Sequence, residues 1–131
     1  MVACADFVLG KTPGPTVSNL SSTRALRDIS QKHGCDHHSS AVGEVNVVEM
    51  MKKNNAVIGG EGNGGVIYPE SHYGRDSIVG IAIFLNLLAE RNVTALELKN
   101  EYPSYFMSKQ KLQLNDDLNS EAIQEFLMHK Y

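Results

Sequence analysis

Three short runs of strand-forming residues, 16–20, 35–42 and 56–60, alternate along this chain with segments of helical periodicity, and the connections between them are only a few residues long. Parallel strands cannot be joined by a tight hairpin and need a crossover, which a helix supplies. The alternation therefore predicts an α/β fold: a layered domain with a mostly parallel or mixed sheet flanked by helices. Val2 to Leu9 is the first helical segment, stopped by Gly10 with Pro13 and Pro15 beyond it. Ser21, Ser22 and Thr23 offer caps for a second, in which Ala25, Leu26 and Ile29 share a face and Gly34 ends the run. Gly43 separates the second strand from a third helix that carries Val45, Val48, Met50 and Met51. That helix finishes in Lys52-Lys53, the favoured charge at that end.

The third strand runs into Gly59-Gly60-Glu61-Gly62-Asn63-Gly64-Gly65, where five of seven residues are glycine. Glycine loses the most conformational entropy on folding, and it is used where the backbone takes positive φ or where another group comes close. A loop that concentrates this cost around one carboxylate and one amide points to a ligand. Gly60 to Gly65 also satisfies G-x-G-x-x-G, but a dinucleotide fingerprint needs a helix opening at the loop and an acidic residue about twenty positions on. Val66-Ile67-Tyr68-Pro69 favours extended chain instead, and no convincing acidic residue follows. A carboxylate only accepts hydrogen bonds, whereas an amide donates and accepts. Glu61 and Asn63 together suit adjacent sugar hydroxyls.

Downstream, Asp76 is placed to cap a long apolar helix from Ser77 to Arg91, with Ile78, Ile81, Ala82, Leu85 and Leu88 on one broad face. Thr94 caps a short helix over Ala95 to Asn100 that Pro103 stops. Tyr105 to Leu114 reads as an exit strand or linker, and a last helix is expected from Asn119 through Leu127. The chain opens already inside a helical pattern with no cap before it, which is expected of a piece of something longer.

Composition narrows the classes of function. A net charge of −3 and a pI near 5.9 argue against a nucleic-acid binder, which carries a basic stripe. Tyr102, Tyr105 and Phe106 have no interleaved basic residues, so they read as anchors rather than a stacking platform. The apolar run Ile78 to Leu88 is too short to span a bilayer, and no signal peptide is evident. Cys4 and Cys35 are too few for a disulfide framework, so free thiols and a cytoplasmic location are expected. His37 and His38 are adjacent on a strand and face opposite ways, so they do not share a metal. His72 lies near enough to the glycine loop in sequence to touch a ligand or to be plain surface.

The stretch from Val57 to Gly80 resembles the sugar-recognition region of the α-D-phosphohexomutases, the superfamily of phosphoglucomutase, phosphomannomutase and phosphoglucosamine mutase. Their loop has the form Gly-Glu-x-Ser-Gly, usually followed by His. Val17 to Leu26 resembles the strand-to-helix step of the family's third domain, Ala41-Val42-Gly43-Glu44 its Val-Gly loop facing the sugar, and Tyr105 to Lys109 the exit toward the fourth domain. The resemblance implies that residues 1–101 are domain III without its start, with a sugar-binding loop at 59–65, and that 102–131 lead toward domain IV. It implies that Glu61 and Asn63 bind sugar hydroxyls, that Gly62 and Gly64 allow close approach, and that Glu44 is a further contact. The phosphoserine loop, the Asp-x-Asp-x-Asp loop for Mg²⁺ and the Arg-containing phosphate clamp are not in this sequence. The resemblance therefore places nucleophile and metal on parts beyond it and implies an inactive fragment of an enzyme that interconverts hexose 1- and 6-phosphates through a hexose 1,6-bisphosphate. Asn63 stands where Ser is usual, Gly65 where His is usual, and Glu44 where some members have His, so the choice of hexose phosphate is left open.

Overall fold

The computed structural model describes residues 1–108; the expected helix over 119–127 and most of the expected 105–114 strand lie outside the described residues. The elements come in the order α1 (Val2–Lys11), β1 (Thr16–Asn19), α2 (Ala25–Lys32), β2 (His37–Ser40), α3 (Glu44–Lys53), β3 (Ile58–Gly60), β4 (Val66–Ile67), α4 (Ser77–Arg91) and α5 (Ala95–Glu101). Four strands form one sheet in the order β2-β1-β3-β4. β1 pairs in parallel with β2 and β3, and β4 returns antiparallel to β3. The sheet is mixed, as the alternation of strands and helices requires for its first three strands and the extended Val66-Ile67 for its fourth.

Val66 and Ile67 are neighbours on one strand, so their side chains mark opposite faces of the sheet. Val66 joins a cluster with Cys4, Ala5, Val8, Leu26 and Ile58, against which Ile83 and Phe84 pack. Ile67 joins Val17, Val47, Met51 and Ala56. Helices α1, α2 and α4 thus cover one face and α3 covers the other. This is what consecutive crossovers of one hand demand when the chain steps from β1 out to β2 and back past β1 to β3.

The caps explain the ends. Asp76 accepts from the amides of Ile78 and Val79 at 2.8 and 3.0 Å, and Thr94 with Glu97 forms a capping box on α5. Ser21 and Ser22, expected to cap α2, instead donate to Asn19 Oδ1 at 3.2 and 2.7 Å, because the strand end they follow has a buried amide to satisfy. Beneath α1, the buried Asp6 carboxylate binds His33 at 2.7 Å, Arg91 at 2.6 Å and the Tyr102 hydroxyl at 2.9 Å. Burial pushes Asp6 up, but the bonds from His33, Tyr102 and Arg91 outweigh it and hold the carboxyl below its ordinary range. One carboxylate therefore ties α1, α2, α4 and the end of α5 together. No single helix among the described residues is long and apolar enough to cross a membrane, and α4 and α5 meet at 89°.

The broad apolar face expected on α4 divides. Leu87 is buried and Ile83 and Phe84 are partly so, whereas Ile78, Ile81 and Leu85 are 78%, 58% and 56% exposed. The helix meets the sheet through the stripe around Gly80, Ile83, Phe84 and Leu87, so the residues on the adjoining arc face outward.

Candidate sugar-binding site

In an open α/β sheet, ligands bind outside the carboxyl ends of the strands where the strand order reverses. Here that point lies between β1 and β3, the neighbours whose onward connections leave in opposite directions, β1 by a crossover out to β2 and β3 by a turn into β4. Asn19 is the last residue of β1, and Glu61 follows the last residue of β3. The glycine loop is therefore anchored at the switch point.

The loop is the turn of a β-hairpin. The Glu61 amide donates to Gly65 O at 3.1 Å and the Gly64 amide to Glu61 O at 3.2 Å, closing a tight turn over 61–64. Gly64 sits at φ +95°, where a side chain would be strained. Gly62 presses on the segment after β1: a Cβ there would lie 2.6 Å from Ser21 O. Strand β4, not a helix, follows the turn, so no helix N-terminus is offered to a pyrophosphate.

Glu61 is only 6% exposed, and each of its carboxylate oxygens has one partner. Asn19 Nδ2 donates to Oε1 at 2.9 Å, and Arg75 Nη1 lies 2.9 Å from Oε2. Each carboxylate oxygen has two lone pairs, so both keep capacity to accept beyond these contacts. Asn63 and Gly62 at the tip are exposed, and Asn63 Oδ1 accepts from the Gly65 amide at 3.2 Å. Glu61, Gly62, Asn63 and Gly64 line a cavity of about 540 Å³ together with Asn19 and Ser21. On the other side of the hairpin, Asn63, Gly64 and Glu44 border a second depression of about 520 Å³ with Arg75.

Glu44 opens α3 and binds Arg75 twice, from the backbone amide to Oε1 at 3.1 Å and from Nε to Oε2 at 2.8 Å. The Arg75 amide, then its guanidinium, then the charge of His72 hold the Glu44 carboxyl below its usual range. All five candidates thus gather at the hairpin, four in the turn and Glu44 through Arg75. Sequence reasoning missed Asn19 and Arg75. The legible signals were a polar residue closing the first parallel strand and a cation directly before a helix cap.

His72 bonds Asp76 at 3.0 Å. His37 uses both ring nitrogens on hydroxyls, Thr16 at 2.9 Å and Ser18 at 3.3 Å. Both cysteines are free thiols. Among the described residues no three His, Cys, Asp or Glu side chains converge to hold a metal ion. The described residues do not fit the Mg²⁺ that the resemblance implies for the whole enzyme.

Residues 1–105 match the family model for phosphoglucomutase/phosphomannomutase, alpha/beta/alpha domain III. This chain belongs to the phosphoglucomutase/phosphomannomutase family. Among curated relatives, the domain is similar to a phosphoglucosamine/phosphogalactosamine mutase of Sulfurisphaera tokodaii, 32% identical over 88% of this chain and 25% of that one. It is also similar to a phosphoglucomutase/phosphomannomutase of Thermococcus kodakarensis, 33% identical over 86% of this chain and 25% of the relative. A crystal structure from Thermus thermophilus, assigned to the phosphomannomutases, matches 76% of this chain and 24% of its own at 27% identity and a TM-score of 0.66. The phosphohexomutase domain thus spans about a quarter of the length of the relatives it matches.

Proposed function

We propose that this domain III recognises the sugar of a hexose phosphate for a phosphohexomutase that interconverts hexose 1-phosphate and hexose 6-phosphate. The observation that carries the reading is Glu61. A carboxylate this deeply buried, held by a hydrogen bond from Asn19 and an ion pair with Arg75 at the switch point, keeps accepting capacity on both oxygens beside a cavity of about 540 Å³. Two vicinal hydroxyls can donate to the two oxygens. The Asn63 amide, two residues on and exposed at the turn, supplies a donor and an acceptor for a third contact. Gly64, with open space where a side chain would project, keeps the turn bare for a sugar ring, Gly62 lets the turn close against Ser21, and Glu44 stands at the rim.

Phosphoryl transfer depends on positioning and electrostatic stabilisation, and holding the reacting group in line contributes several kcal/mol of the barrier reduction. A clamp on the ring hydroxyls serves a mutase well, because it grips the part of the substrate that both transfers share. Either phosphate can then face the nucleophile as the hexose turns over by way of a 1,6-bisphosphate. In this reading the phosphoserine and the Mg²⁺ belong to the rest of the enzyme, which lies beyond this domain, and the fragment alone has no mutase activity. Two free thiols suit a reducing compartment, and we place the enzyme in the cytoplasm.

Replacing Glu61 by Gln in the full-length enzyme keeps the shape and removes the charge that accepts the hydroxyl bonds. Hydrogen bonds to a charged group contribute about 1.5–3 kcal/mol each, so kcat/KM is expected to fall about 10- to 100-fold. Phosphorylation of the active-site serine, followed by mass spectrometry, is expected to be spared. Turnover within twofold of the parent enzyme contradicts the reading.

A further inference from the structure

We propose that Arg75 is a positioning residue of the glycine hairpin, holding the Glu61 carboxylate and the start of α3 in one arrangement and acting on a bound sugar through Glu61. The inference rests on the sugar-recognition reading above. Arg75 occupies the segment between β4 and α4, one residue before the Asp76 cap. The Asp76 amide bonds Val66 O at 2.8 Å, so the backbone that carries Arg75 is pinned to the sheet. From there the arginine reaches two carboxylates on two other segments: Glu44 by its backbone amide and Nε, and Glu61 by Nη1 at 2.9 Å. On the same segment His72 and Asp76 are bound to each other at 3.0 Å, and Glu70 faces the Tyr68 hydroxyl.

The hairpin is built to admit this side chain. A Cβ at position 65 would lie 2.5 Å from Arg75 Cδ and 3.0 Å from Cγ, so only glycine leaves room for the arginine stem beside the turn. The planar guanidinium then presents separate N–H groups to the two acids, which the single ammonium of lysine cannot match. Asn19 takes one lone pair of Oε1 and the Arg75 guanidinium sits 2.9 Å from Oε2 as an ion pair, so the two together restrain the orientation in which Glu61 can still accept. Glu44 is thereby assigned a role through Arg75: it anchors the far side of the guanidinium, and its effect on the sugar passes through that contact.

Two measurements test this. In the 131-residue chain, Arg75→Gln is expected to speed hydrogen exchange of the Glu61 and Gly64 amides at least 10-fold, with the Ala56 and Leu98 amides unchanged; Arg75→Lys falls between. In the full-length enzyme, Arg75→Gln is expected to raise KM for the hexose phosphate about 10-fold with kcat within threefold. Glu44→Gln is expected to act in the same direction, and the double variant to be no worse than Arg75→Gln alone. If Arg75→Gln does not fold, Arg75→Lys carries the same comparison. Unchanged exchange and unchanged KM in the Arg75 variants, with Glu61→Gln still impaired, overturn the proposal and leave the sugar reading standing. Additive effects of Glu44 and Arg75 also overturn it. An unimpaired Glu61→Gln enzyme removes the sugar reading instead, and exchange at the hairpin then decides whether Arg75 holds it.

Discussion

Single side chains decide where charge is tolerated in this domain. His37 shows it away from the hairpin: half-buried and bonded to Thr16 and Ser18, its pKa is pushed down to about 4 by burial and by the nearby charges of His38 and Arg27. Its folded pKa lies below the unfolded value of about 6.5, so between these values the unfolded chain binds a proton that the folded chain does not. Stability therefore falls as pH drops from about 6.5 to about 4, by roughly 2 kcal/mol once partial exposure is discounted. Urea midpoints at pH 7 and pH 4.5 should separate in the parent chain and move closer together in His37→Asn; an equal separation in both contradicts this account. The sequence placed His37 on a strand and away from a shared metal, but not its hydroxyl partners, because those depend on the register Thr16↔His37 between parallel strands. Glu61 and Asn63 stand out in the sequence as an acid and an amide among five glycines, and the fold places both in the turn of the hairpin. Asn19 and Arg75 do not stand out. They lie 42 and 14 positions from Glu61, and only the folded sheet brings them to it.

At the scale of elements, periodicity found the helices, and the caps Asp76 and Thr94 were readable because a short polar side chain before an apolar run has few other uses. What periodicity left open is which arc of an apolar helix meets the sheet. On α4 nearly the whole circumference is apolar, and packing against β4 and α1 selects the arc with Leu87. Leu87→Ala is accordingly expected to cost about 2–5 kcal/mol, whereas Leu85→Ala, at a side chain more than half exposed, should stay within about 0.5 kcal/mol. Chemical denaturation of the two variants checks the contrast, and equal losses would place the wrong arc against the sheet. The hairpin is the other element that was only partly legible beforehand. Extended residues after the glycines excluded a helix, but the antiparallel return of β4 beside β3 depends on pairing that one strand cannot reveal.

Over the whole domain, two polar hubs divide the work. Asp6 joins α1, α2, α4 and the end of α5 under the helical layer, and the Asn19–Glu61–Arg75–Glu44 chain joins β1, the hairpin, the lead into α4 and the start of α3 at the carboxyl ends of the strands. The first is away from the cavities at the hairpin; the second lines them. A scaffold that presents a buried, oriented acid on a glycine turn suits the proposed role of holding a sugar. The most direct test is a titration of the full-length protein with glucose 1-phosphate, mannose 1-phosphate and glucosamine 6-phosphate, followed by amide chemical shifts of this domain. With at least one of these ligands, the Gly62 and Gly64 amides and the Asn63 side-chain amide should shift in a saturable way while the amides of α1 stay still. Saturation of the enzyme by such a ligand with no change at the hairpin would contradict the account.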